Sequence, residues 1–178
     1  MTPPRMERLR VELPAVLSIG SNRGDREATI RAAIADIGRI DGVSLRSASS
    51  LVESAAVKLD GVDESAPAYL NAVVTVRSAL GPDALLSALN TIEHDHGRVR
   101  DERWGDRTLD IDIVDFGGQR VDTDRLTLPH PRAAERSFVV VPWLEVAPAA
   151  VLPEIGRVAD LPAARADDLR VYPAEPLL

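Results

Sequence analysis

The segment "YLNAVVTVRSA", residues 69–79, is apolar and β-branched, and it runs directly into "GPDALLSALNTIEHDHG", residues 81–97. The first reads as a strand. The second reads as a helix, with Pro82 near its start, Leu85, Leu89 and Ile92 on one side and Gly97 at its end. The same unit occurs earlier: "AVLSIGS" (15–21) is a short buried strand, the turn formers Ser21, Asn22 and Gly24 follow, and Ile30, Ala33, Ile34, Ile37 and Ile40 recur at helical spacing until Asp41-Gly42. A chain with two strand-helix units is restricted to few architectures. Between them, "VSLRSASSLVE" (43–53) is a weaker strand and "SAAVKLDGVDESAPA" a long loop. After them, "TLDIDIVDFGG" alternates as a strand, "QRVDTDRLTLPHP" reads as a turn with a short extended piece, and "RAAERSFVVVPWLEVAP" as a short helix with an apolar flank. The order β, α, β, β, α, β predicts an α+β sandwich of ferredoxin-like type, its mostly antiparallel sheet covered by helices on one face. With 178 residues and no repeat or linker, one domain spanning 1–178 is expected. A polar arm (1–13) precedes it, and a Pro-rich C-terminal extension (about 150–178) has no role legible in its residues.

Charge narrows the function classes. The net charge is -7 and the pI about 5.0, which argues against a nucleic-acid-wrapping protein, since phosphate contacts leave a basic footprint. Lys58 is the single lysine among 21 basic residues, so any local cation cluster is an arginine cluster, suited to forked recognition of phosphate oxygens. Cysteine is absent, which excludes disulfides and thiolate metal sites and fits a reducing cytoplasm. The N-terminal residues contain no signal-like apolar run, and "SFVVVPWLEVAPAAVLP" is interrupted by Glu145 and prolines, so a cytoplasmic protein with no membrane span is expected.

Chemistry concentrates in "RWGDRTLDIDI", residues 103–113. On a strand, Asp110 and Asp112 share one face while Ile111 and Ile113 point to the other. Paired carboxylates repel unless water, arginine or a metal compensates, and Mg²⁺ commonly takes one or two carboxylates plus substrate phosphates. A bare Asp-x-Asp is more often a solvated strand face. Here Arg98, Arg100, Arg103 and Arg107 lie close by and, with a metal, could neutralise a polyphosphate. Asp101, Glu102 and Asp106 are interspersed, so a solvated mixed-charge loop is the competing reading. Trp104 is either a lid over a core edge or a stacking surface for a flat heterocycle. Neither a GxxxxGK[ST] loop nor a strand-linked GxGxxG is present. His94 and His96 point to different sides of their helix and make poor partners for one metal. His130, between two prolines in "LPHPR" and followed by Arg132 and Arg136, is either a turn histidine or a donor to phosphate.

Taken together, "LSIGSNRGDR", "YLNAVV", "GRVRDERWGDRTLDIDI" and "LTLPHPRAAERSFVVVPWLEVAP" resemble the 6-hydroxymethyl-7,8-dihydropterin pyrophosphokinase family of folate biosynthesis. The resemblance implies a ferredoxin-like α/β/α sandwich and transfer of the β,γ-diphosphate of ATP to the pterin hydroxymethyl group, leaving AMP. It implies two Mg²⁺ ions on Asp110 and Asp112, with Arg98 and Arg107 beside these aspartates as catalytic residues. Arg98, Arg100, Arg107, His130 and Arg136 would contact ATP. Tyr69, Asn71 and Phe138 would hold the pterin, the two rings sandwiching the bicycle and the amide reading its edge. Trp104 would close over both substrates on an arginine-bearing loop, and Glu93 would orient rather than catalyse. The expected partners are ATP and the pterin, without nucleic acid or membrane, for a monomeric enzyme. Two departures are visible: Asp106 where the family usually has proline, and "VESAAVK" (52–58) where it has "YRTPPLG". A metal-dependent phosphohydrolase would use the same aspartates but leave Tyr69, Asn71 and Phe138 unexplained. A ferredoxin-like RNA-binding module would want a more basic, more aromatic chain.

Overall fold

The structure is a computed structural model describing residues 11–58, 61–63, 67–97 and 108–178. Strand β1 (Leu13–Ser21) leads through the turn at Asn22–Gly24 into helix α1 (Arg26–Ile37). Gly24 takes φ +63°, the left-handed conformation that a side chain disfavours, and Asp25 then caps the helix by accepting from Ala28 N at 3.0 Å. Next come β2 (Val43–Ala48), β3 (Val52–Ser54), the short pair β4 (Ala56–Lys58) and β5 (Gly61–Asp63), and the long strand β6 (Tyr69–Ser78). Helix α2 (Pro82–Asp95) follows, with proline in its first turn where no donor is required. The chain continues as β7 (Asp110–Phe116), the hairpin β8 (Val121–Asp122) and β9 (Thr127–Leu128), and helix α3 (Ser137–Val146). It ends with β10 (Val151–Leu152), β11 (Gly156–Arg157), two 3-10 turns and β12 (Leu169–Val171).

The main sheet runs β12-β3-β6-β1-β7, with β2 also paired to β6, and every pairing is antiparallel. β7, β1, β6 and β2 are the four strands of the expected ferredoxin-like order. Alternation along them creates two cores. On one face Leu17, Ile19, Leu70, Val74 and Ile113 meet Ile30, Ile34, Leu85 and Leu89 of α1 and α2. On the other, Val16, Val73 and Val114 meet Val139, Val140 and Trp143 of α3 and Leu152 and Val158 of the C-terminal segment. Each large aliphatic side chain so enclosed contributes about 1.5–3 kcal/mol of transfer free energy.

Three readings of the sequence are corrected. Helices cover both faces, as in the α/β/α sandwich that the resemblance implied and not on one face alone as the order of elements suggested, because α3 is apolar nearly all round and fills the second face. The strand expected over 43–53 is interrupted: β2 lies against the far half of β6 and β3 against its near half, with Ser49 between them accepting from Val73 N through its hydroxyl at 2.9 Å. The loop expected over 54–68 contains the β4–β5 pair, and the C-terminal extension adds a strand to the main sheet.

Candidate active site

The register of three strands fixes the site. Gly20 of β1 is opposite Asn71 of β6 on one side and Asp110 of β7 on the other, and one step along Ser18 is opposite Val73 and Asp112. Tyr69, Asn71, Gly20, Ser18, Asp110 and Asp112 therefore occupy the α3 face of the sheet, while Leu70, Ile19, Ile111 and Ile113 enter the α1–α2 core. Small residues at 18 and 20 keep the floor between the aspartates and Asn71 low. At Gly20 the fit is tight, because a Cβ there would stand 3.0 Å from Asn71 Oδ1 and the amide would have to give way. Sequence reasoning missed this glycine, although a glycine inside a strand pattern signals close approach by another group.

Asn71 is 3% exposed, and its Nδ2 donates to Ser54 Oγ of β3 at 2.9 Å. That bond sets the amide's orientation, with nitrogen toward β3 and oxygen over Gly20. Ser54 is paired with Tyr69, so ring and amide share one corner of the sheet.

The aspartates lie on an edge strand. Among the described residues, β7 pairs in the main sheet with β1 alone, and its outer N–H at Ile111 donates to Glu93 Oε1 of α2 at 2.7 Å. Glu93 is 1% exposed, so a buried carboxylate grips the backbone between the two aspartates. Farther along, a register shift at Val16/Leu17 turns Val114 into the second core, and Val114 O accepts from His130 N at 2.9 Å.

Through that bond the "LPHP" turn is held against β7. His130 Nδ1 accepts from Arg132 N at 3.1 Å, so the neutral ring carries its proton on Nε2, which lies 3.7 Å from Asp112 Oδ2. Burial lowers the His130 pKa to about 4; the Arg136 cation adds to this and Asp110 opposes it. At neutral pH His130 is thus an uncharged Nε2–H donor beside Asp112 rather than half of an ion pair. Arg136 Nη1 also lies 3.7 Å from Asp112 Oδ2, and its guanidinium is 5.6 Å from the centre of the Phe138 ring. Asp112 nevertheless keeps 37% of its side chain exposed.

The structure thus brings Asp110, Asp112, His130 and Arg136 together, links Phe138 to them through Arg136, and joins Tyr69 and Asn71 across Gly20. Arg98, Arg100, Arg103, Trp104, Asp106 and Arg107 lie outside the described residues. His96 follows α2 as its C-cap, with Nε2 2.9 Å from Asp36 Oδ2 of α1.

Residues 16–148 match the family model described as 7,8-dihydro-6-hydroxymethylpterin-pyrophosphokinase. A 2-amino-4-hydroxy-6-hydroxymethyldihydropteridine pyrophosphokinase of Synechocystis sp. is 36% identical over 162 residues, covering 91% of this chain and 80% of that one. One of Bacillus subtilis is 39% identical over 132 residues, covering 74% and 77%. Among solved structures, an HPPK-DHPS in complex with substrates aligns with TM-score 0.58 and 14% identity over 78% of this chain. The wild-type Plasmodium falciparum HPPK-DHPS aligns with TM-score 0.61 and 13% identity over 83%. This chain spans 40% of the length of each of those two larger proteins, and at such identity the likeness is one of fold. By the family match and the two bacterial relatives, the chain belongs to the 7,8-dihydro-6-hydroxymethylpterin-pyrophosphokinase family.

Proposed function

We infer that this protein transfers the β,γ-diphosphate of ATP to the hydroxymethyl oxygen of 6-hydroxymethyl-7,8-dihydropterin, giving AMP and the pterin diphosphate, a step of folate biosynthesis. The observation that carries the reading is the row Asn71, Gly20, Asp110 across three strands, which sets a recognition amide and a carboxylate pair on one face of one sheet.

Two Mg²⁺ ions suit this donor set. Asp110 and Asp112 offer hard carboxylate oxygens on one side of β7, and no group of three or more His, Cys, Asp or Glu among the described residues forms a complete protein cage. That leaves positions for water and substrate phosphates, as Mg²⁺ prefers. Bound there, the ions would neutralise polyphosphate charge as it shifts toward the leaving AMP. His130 offers its Nε2–H to a phosphate oxygen without adding charge, and Arg136 adds a fixed cation. By resemblance, Arg98, Arg100 and Arg107 would belong to the same phosphate set, Arg98 and Arg107 as catalytic residues, and Trp104 would close over both substrates. Tyr69 and Phe138 would stack on the pterin, and Asn71 Oδ1 would accept from its edge. In-line placement and charge neutralisation then suffice without a covalent enzyme intermediate. No residue of the site is assigned as a general base.

A single catalytic domain, a monomeric state and a cytoplasmic location belong to the same proposal. No helix among the described residues is long and apolar enough to cross a membrane. The test is product analysis with ATP, Mg²⁺ and the reduced pterin alcohol. AMP and pterin diphosphate in equal amounts are expected, without AMP when Mg²⁺ is chelated. Free phosphate with an unchanged pterin would overturn the reading in favour of a phosphohydrolase.

A further inference from the structure

Arg26, the first residue of α1, ties together four segments that are far apart in the chain. Its Nη1 donates to Glu53 Oε1 at 2.8 Å and to the Ala68 carbonyl at 2.7 Å, and its guanidinium lies 5.9 Å from the centre of the Tyr172 ring. Each partner adjoins the proposed pterin wall. Ala68 immediately precedes Tyr69. Glu53 immediately precedes Ser54, whose hydroxyl orients the Asn71 amide. Tyr172 follows β12, which pairs with β3 from Leu169↔Ser54 to Val171↔Val52, and Tyr172 N donates to Leu51 O at 2.9 Å. The C-terminal segment that backs β3 is pinned at its start too, where Asp168 accepts from the hydroxyl of Ser137, the neighbour of Phe138, at 2.9 Å.

None of these ties is made to β7 or to the turn that carries His130. Arg26 and Glu53 keep 24% and 29% of their side chains exposed, so their ion pair is partly screened and adds little to global stability. What a forked, planar cation adds at this point is geometry, because one terminal nitrogen serves two acceptors while the flat group faces a ring.

We propose that Arg26 is a positioning residue for pterin recognition: through Ala68 and Glu53 it fixes Tyr69 and the Ser54–Asn71 pair, with β12 and Tyr172 as its backing, and it leaves the diphosphate side untouched. This rests on the proposed function above, deepening it at the pterin corner.

The experiment is steady-state AMP formation by the full chain, with the pterin varied at saturating Mg-ATP and then Mg-ATP varied at saturating pterin. Arg26→Gln raises KM for the pterin about tenfold, as expected when charge-assisted bonds to two segments are lost, and leaves KM for ATP within about twofold. Arg26→Lys gives an intermediate rise, since an ammonium keeps one of the two acceptors, and Tyr172→Leu a smaller one. A parallel rise of both KM values, or no change in either by folded protein, overturns the proposal. Should Arg26→Gln fail to fold, the lysine variant decides by the same two criteria. Wild-type protein that forms no AMP refutes the parent reading instead, a result obtained before any variant is made.

Discussion

Asp110 and Asp112 repel one another across one strand face, and their roles can be separated from folding for that reason. Asp110→Ala or Asp112→Ala relieves like-charge repulsion, so the melting temperature holds or rises while Mg²⁺-dependent turnover falls about a hundredfold or more. Calorimetry and AMP release on the same preparations check both halves. Gly20 makes a sharper test of the pterin corner. A methyl group there would crowd Asn71 Oδ1 at 3.0 Å, so Gly20→Ala displaces the amide and raises KM for the pterin several-fold, with KM for ATP little changed. Titration of each ligand separately shows whether the loss is confined to one. The aspartates were legible in the sequence because strand alternation dictates their shared face. Gly20 was not, because its partner is 51 positions away in the chain and only the β1–β6 register joins them.

Among the described elements, β7 gains rigidity from helix α2 on the side away from β1. Glu93→Ala leaves the Ile111 N–H in a dry setting without its carboxylate, a cost of about 3 kcal/mol, or roughly 6–12 °C in Tm for a chain of this size. Glu93→Gln keeps an oxygen that can accept from Ile111 N and costs less, which thermal unfolding of the two variants would show. A second contact joins the ends of α1 and α2. His96, and then Arg39, hold Asp36 below its ordinary carboxyl value of 3.8. A depressed carboxyl pKa contributes stability that is present above the unfolded value and is lost as pH falls through the folded one. The Tm gap between wild type and Asp36→Asn therefore closes as pH falls below about pH 4, where the Asp36 carboxylate takes up its proton. A gap unchanged at pH 2.5 would contradict the pairing. Helices α1 and α2 could be read from apolar spacing because each buries a single stripe. The break that sets β3 apart from β2, and β12 as a whole, could not, since strands of three residues carry no periodicity and owe their place to their partners.

At the scale of the molecule, the sheet separates two faces, with α1 and α2 sealing one and the proposed chemistry placed on the α3 face. The ferredoxin-like order followed from two strand-helix units in sequence. Closure of the second face by α3 and the C-terminal segment did not, because a helix apolar nearly all round has no stripe to show which surface it covers. On the proposed function, this second face holds pterin and ATP side by side, divided at Gly20. A crystal structure with Mg²⁺, a non-hydrolysable ATP analogue and 6-hydroxymethyl-7,8-dihydropterin tests it most directly. The pterin is expected between Tyr69 and Phe138 with its edge on Asn71, and metal density on both Asp110 and Asp112 between the protein and the phosphates. A pterin bound elsewhere, or phosphates seated away from the two aspartates in a saturated crystal, would contradict it.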